Sequence, residues 1–170
     1  SASPPWLLLT RQTVQLNPDA PIHVDVLTFR HLLATCASHA HADLTHCVPC
    51  LARLRQAVDL YRGDFLAGFN VADSPPFEEW RRVIQEQLHI QALDALTHLV
   101  MAAEADGDHD AQALHDAQRL LTLEPWLEAA HCQVMRLLAR RGERAEALAQ
   151  YQRCRQVLAE EMGVEPAAET

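Results

Sequence analysis

Lysine is missing from this 170-residue chain, whose fourteen basic residues are all arginine. Set against 23 Asp and Glu, they leave a formal net charge of −9. An acidic surface repels phosphate backbones and offers no broad counterion-release term, which argues against DNA binding by this chain alone. Glycine is scarce, with five residues, and β-branched residues are few outside the N-terminal stretch, so an extensive β fold is not expected. No apolar run reaches about 18 residues, so no membrane span is expected. The N-terminus lacks the basic-then-apolar pattern of a signal peptide. Enzyme signatures are missing as well: there is no HExxH, no phosphate-cradling glycine loop and no GxSxG. Glu78 and Glu79 are paired carboxylates, but adjacent residues do not share a helix face. They belong in a first helical turn, where the helix dipole favours negative charge. No catalytic activity is expected.

What remains is a composition of Ala, Leu, Glu, Gln and Arg, all good helix formers. The absence of lysine beside so much alanine resembles a GC-rich bacterial coding sequence. Five cysteines, an odd number without the spacing of a secreted disulfide scaffold, fit a reducing bacterial cytoplasm. The chain starts at Ser1 rather than Met, which reads as an excised fragment or a tag scar.

Residues 6–16, WLLLTRQTVQL, are the one β-like stretch, with TRQ as the tip of a short hairpin. From Asp25 the period turns helical. Asp25 is placed as an N-cap, with Val24 and Phe29 as a hydrophobic staple. Val26, Phe29, Leu33 and Cys36 form one apolar stripe, and Leu51, Leu54, Val58, Tyr61 and Phe65 a second. Two helices thus form a hairpin. After a linker at 62–76, Ser74-Pro75 signals a helix start. A long helix over about 77–105 turns Phe77, Trp80, Ile84, Leu88, Ala92, Ala95 and Leu99 inward, and DGDHD at 106–110 breaks it. Three more helices are expected near 110–123, 126–141 and 143–162, divided by Pro125 and Gly142 and ended by Gly163.

The second half repeats itself. Ala113-Leu114 aligns with Ala147-Leu148 at a spacing of 34 residues, and Leu120 falls on Cys154 by the same step. That period, with helix–turn–helix content and Pro125 after a repeat's second helix, fits a tetratricopeptide-type array. Its stacked pairs create concave surfaces for partners. Tyr61, Phe65, Phe69, Phe77 and Trp80 read as aromatics packing the linker on the long helix, rather than a ligand box. Trp126 reads as a wedge between repeats.

The segments LYRGDFLAGF (60–69), DSPPFEEWR (73–81) and the run from Arg119 to Thr170 resemble the bacterial transcriptional activator domain of SARP-type regulators. The resemblance covers about residue 25 to the end. It implies an all-α, tetratricopeptide-like array of antiparallel helix pairs over 25–170. Residues 1–24 are then a linker and a short β-like remnant of the wing of a preceding winged-helix domain. DNA binding would reside in that missing N-terminal domain. The implied partners are proteins: a second copy, the transcription machinery such as RNA polymerase, or other domains of the same regulator. A stand-alone tetratricopeptide adaptor, binding a peptide or protein in its groove, is the competing reading.

One stretch stands apart. CASHAHADLTHCVPC, Cys36 to Cys50, holds three cysteines and three histidines in fifteen residues. Cys36-x2-His39 and Cys47-x2-Cys50 are two pairs at zinc-knuckle spacing, and zinc prefers four tetrahedral thiolate and imidazole ligands. Three cysteines with His39, or with His41 in its place, would close a structural site. Pro49 suits a rigid turn into the second helix. Two other readings stand beside it. Cys36 belongs equally to the apolar stripe, with the histidines simply solvated. Cys47 and Cys50 can also form a redox pair, although no βαβ pattern surrounds them. The expectation is one zinc per chain, held by four of Cys36, His39, His41, Cys47 and Cys50. His89, His98, His109, His115 and His131 are scattered without spaced partners and read as surface or packing residues.

Overall fold

The structure, a computed structural model, describes residues 5–107, 110–168 and 170. Ser1, at the start of the chain, and Asp108 and His109, inside the DGDHD break, lie outside the described residues. A short antiparallel ribbon opens the fold, β1 (Leu7–Leu9) with β2 (Val14–Leu16), in the register Leu7↔Leu16 and Leu9↔Val14. Thr10 shapes its tip: its Oγ1 accepts the Thr13 N–H at 2.9 Å and the Gln12 N–H at 3.2 Å. Both faces of the ribbon are exposed, including Leu7, Leu9, Val14 and Leu16. Asn17 then anchors the exit, donating from Nδ2 to the Pro5 carbonyl at 2.7 Å.

Among the described residues six α-helices follow: α1 (Asp25–Ser38), α2 (Val48–Leu60), α3 (Pro75–Asp106), α4 (Asp110–Leu123), α5 (Glu128–Arg140) and α6 (Arg144–Glu161). Each helix packs on the next along the chain, with a 3-10 turn at Leu44–His46 seated on α3. The fold is therefore the expected helical array with a small β segment in front. No helix among the described residues is long and apolar enough to cross a membrane.

Small residues let these helices approach. Ala92, Ala95, Ala113, Ala117 and Ala130 are all buried, and Leu96, Val100, Leu120, Val134 and Leu137 fill the space between them. Fully burying a leucine of this kind stabilises the fold by roughly 1.5–3 kcal/mol. The 34-residue step is visible in this packing, since Leu120 and Cys154 are both buried. Gly107 ends α3 in the left-handed region (φ 75°), its N–H bonded to the Ala103 carbonyl. Gly142 (φ 81°) plays the same part between α5 and α6.

Polar ties bind neighbouring helices. Asp116, fully buried on α4, pairs with Arg55 of α2 at 2.5 Å, and Gln112 donates to the same oxygen at 3.3 Å. Arg119 donates to the Val58 carbonyl at 2.7 Å and to that of Tyr61 at 3.3 Å, satisfying the end of α2. Buried His131 receives the Gln150 side-chain amide at one ring nitrogen (2.7 Å) and meets the Pro125 carbonyl with the other (2.9 Å). Glu128 accepts the Thr170 hydroxyl and, at 2.6 Å, the Ala167 N–H, and these bonds, the hydroxyl's foremost, depress its carboxyl pKa. The segment after α6 thereby folds back on α5.

Several local expectations are corrected. Asp25 is the first residue of α1 rather than its cap: Val24 holds the cap position, and the Asp25 carboxylate accepts the next N–H at 2.8 Å and lies 3.9 Å from the Arg62 guanidinium. Ser74 does precede α3, yet its hydroxyl makes no capping bond. Of the long helix's supposed inward residues, Leu88, Ala92, Ala95 and Leu99 are buried, whereas Trp80 is 49% exposed. Its ring meets Phe65 edge-on (5.5 Å) and Phe77 at a tilt (5.6 Å), which packs the linker on α3 as the aromatic set was expected to do. Trp126 is 42% exposed rather than enclosed between repeats, while Leu127, beside it, packs on the core.

Candidate metal centre

Residues 39–47 connect α1 to α2, and Asp43 organises them. Its carboxylate accepts the Thr45 N–H at 2.8 Å and the Thr45 hydroxyl at 2.7 Å, which caps the 3-10 turn. The second carboxylate oxygen lies 3.0 Å from His46 Nδ1. These bonds, with the Thr45 hydroxyl foremost, hold the Asp43 carboxyl pKa down at about 2. His46 is committed to Asp43 and stands outside the cluster that its neighbours form.

His39 is the C-cap of α1 and Cys47 the N-cap of α2, while Cys50 lies in the first turn of α2 beside Pro49. Nδ1 of His39 is 3.2 Å from Cys50 Sγ and 3.4 Å from Cys47 Sγ. Nδ1 of His41 is 3.9 Å from Cys50 Sγ. One ligand atom from each of His39, His41, Cys47 and Cys50 lies within 4.8 Å of all the others. The imidazoles are tilted against each other with centroids 5.7 Å apart. Both histidines are exposed, Cys47 is half-buried and Cys50 is buried. One turn along α2, Arg53 brings its guanidinium to 3.8 Å from Cys50 Sγ. This is a set of two thiols and two imidazoles that can hold a metal ion.

Four of the five residues expected at the site come together, and Cys36 is not one of them. It is 5% exposed and part of the main core, with its thiol directed at the Cys50 carbonyl at 3.5 Å. The apolar stripe of α1 faces inward, so the same helical phase that buries Phe29 buries Cys36. Its thiol supports the backbone behind the cluster. Sequence reasoning passed over Asp43 and Thr45. The Asp-x-Thr spacing of an Asx-type turn was the available signal. It also passed over Arg53, whose role depends only on its place one turn beyond Cys50.

Two of the scattered histidines, His89 and His131, take structural roles. His89 sits between the Glu124 carboxylate (2.7 Å) and the Tyr61 hydroxyl (3.2 Å), tying α3 to the ends of α2 and α4. His131 is the buried polar centre of the last helix pair.

With helix order and connection in view, the comparison with known proteins is decisive. Residues 24–170 match the family model described as the bacterial transcriptional activator domain. The chain belongs to that family. Over 119 residues, 69% of its length, this activator domain is 36% identical to the regulatory protein AfsR of Streptomyces coelicolor. It spans 11% of the length of that relative. Within the activator domain, the Cys/His cluster lies in the first helix connection, while the 34-residue repeat lies in the last four helices.

Proposed function

We propose that this activator domain is the regulatory segment of a SARP-type bacterial transcriptional activator. It works in the cytoplasm through contacts with proteins, while a winged-helix domain ahead of it holds DNA. The family match over residues 24–170 carries this reading. Three features support it. Helices stacked in chain order offer extended faces to a partner. A net charge of −9 makes a phosphate backbone a poor ligand. The exposed ribbon at 7–16 has the form of a sheet edge that continues in a neighbouring domain. The partners that fit are a second copy, RNA polymerase, or other domains of the same regulator.

A gel shift at physiological salt tests the reading with two polypeptides: residues 1–170, and the same chain extended upstream in its gene. The short form is expected to show no sequence-specific binding, and the extended form nanomolar affinity for a promoter fragment. Specific nanomolar binding by residues 1–170 alone would sink the proposal. Failure of both forms would leave the adaptor reading in its place.

A further inference from the structure

We propose that His39, His41, Cys47 and Cys50 bind one structural zinc ion, stapling the end of α1 to the start of α2. Three observations carry this beyond a local richness in Cys and His. The first is the position of His39. Its Nδ1 faces two sulfurs at 3.2 and 3.4 Å. An imidazole nitrogen has either one lone pair or one N–H, so it can make one good hydrogen bond and not two. A cation between the three atoms is bonded by all of them at once.

The second observation is the size of the cluster. With Zn–S of about 2.3 Å and Zn–N of about 2.0–2.1 Å, tetrahedral angles place sulfur and nitrogen roughly 3.5 Å apart. Three of the four nitrogen–sulfur separations, 3.2, 3.4 and 3.9 Å, bracket that edge, and all four ligand atoms lie within 4.8 Å of one another. Neither cysteine is tied up in a disulfide, so both sulfurs are available as ligands.

The third observation is the scaffold. Each ligand pair sits on an element fixed by other means. Cys47 and Cys50 are held in the first turn of α2, with Pro49 setting its backbone. His39 caps α1, and the turn after His41 is fixed by the Asp43–Thr45 bonds. Cys36 backs the Cys50 carbonyl from the core. The thiols face the protein and the imidazoles face solvent, so an ion enters without unfolding the helices. The chemistry is that of a closed four-ligand site with no open position, which gives a structural role rather than a catalytic one.

Tag-free protein, purified without a metal column, is expected to carry one zinc per chain by mass-spectrometric metal analysis. Cobalt in place of zinc is expected to give the visible bands of a tetrahedral site with a thiolate-to-cobalt charge-transfer band. Cys47→Ser and His39→Ala are expected to lose the zinc, and Cys36→Ala to keep it. Should the ligand variants fail to fold, metal content and the cobalt spectrum of the unaltered chain still decide. Purified protein without zinc, with or without a Cys47–Cys50 disulfide in its place, overturns the proposal. So does an octahedral cobalt spectrum. A folded Cys36→Ala protein that has lost its zinc overturns the ligand set.

Discussion

Asp116 on α4 and Gln150 on α6 stand 34 residues apart, in the same slot of the repeat, and both are buried. Their partners differ in kind. Asp116 answers a charge from α2, 61 residues away, whereas Gln150 answers the ring of His131, 19 residues away. The slot dictates burial, because it lies on the helix face turned to the neighbouring helices. It does not dictate chemistry, which follows from whichever side chain the adjacent helix presents. In mid-array an earlier helix supplies Arg55, so the tie is long-range and ionic. In the last pair the partner lies within the pair, so the tie is local.

This contrast can be broken by mutation, and equilibrium denaturation reads each outcome. Arg55→Met strands the Asp116 carboxylate in the core and is expected to cost about 3–5 kcal/mol. Adding Asp116→Leu should recover most of that loss, since an apolar pair of similar volume replaces a buried ion pair at little cost. A small effect of the single variant would show that Asp116 is not held as a buried charge. The apolar slot is the next comparison. Leu120→Ala is expected to cost about 3 kcal/mol and Cys154→Ala about 1 kcal/mol, because the cavity scales with the atoms removed. Equal losses at the two positions would mean that the repeat slots do not pack alike. Gln150→Leu leaves one His131 nitrogen buried without its donor and is expected to cost about 1.5 kcal/mol. A loss as large as that of Arg55→Met would erase the distinction between ionic and local ties. Trp126→Ala is expected to change stability by less than about 0.5 kcal/mol, as a half-exposed ring outside the core. A loss above 2 kcal/mol there would restore Trp126 as an inter-repeat wedge.

Helices and breaks were legible because their signals are local. Pro75 and Gly163 mark ends through backbone preferences that tertiary packing rarely overrides, and the break near Gly107 follows the same rule. The stripe from Phe29 to Cys36 was legible for the same reason, as helical phase alone decides its face. The inward placing of Trp80 and the wedge role of Trp126 were misjudged because ring size does not tell whether a neighbouring helix reaches that far along the array. Cys36 carried two compatible signals, a stripe position and a ligand spacing, and only three-dimensional placement separates them. Asp116, Gln150 and His131 look like solvated positions in the sequence, since burial of a polar side chain depends on a partner distant in the chain. Their burial became visible only with the neighbouring helices in place.

The length of α3 has a mechanical meaning. Its 32 residues make a rod about 48 Å long at 1.5 Å per residue. One end carries Phe77 and Trp80 against the linker, and the other carries Leu99 and Ala102 in the array. Tilting such a rod by about 5° at one end displaces the other by roughly 4 Å, close to the spacing of neighbouring side chains along it. The aromatic cluster and the repeat are thus the two arms of a single stiff lever. The first helix hairpin rests against it near the middle.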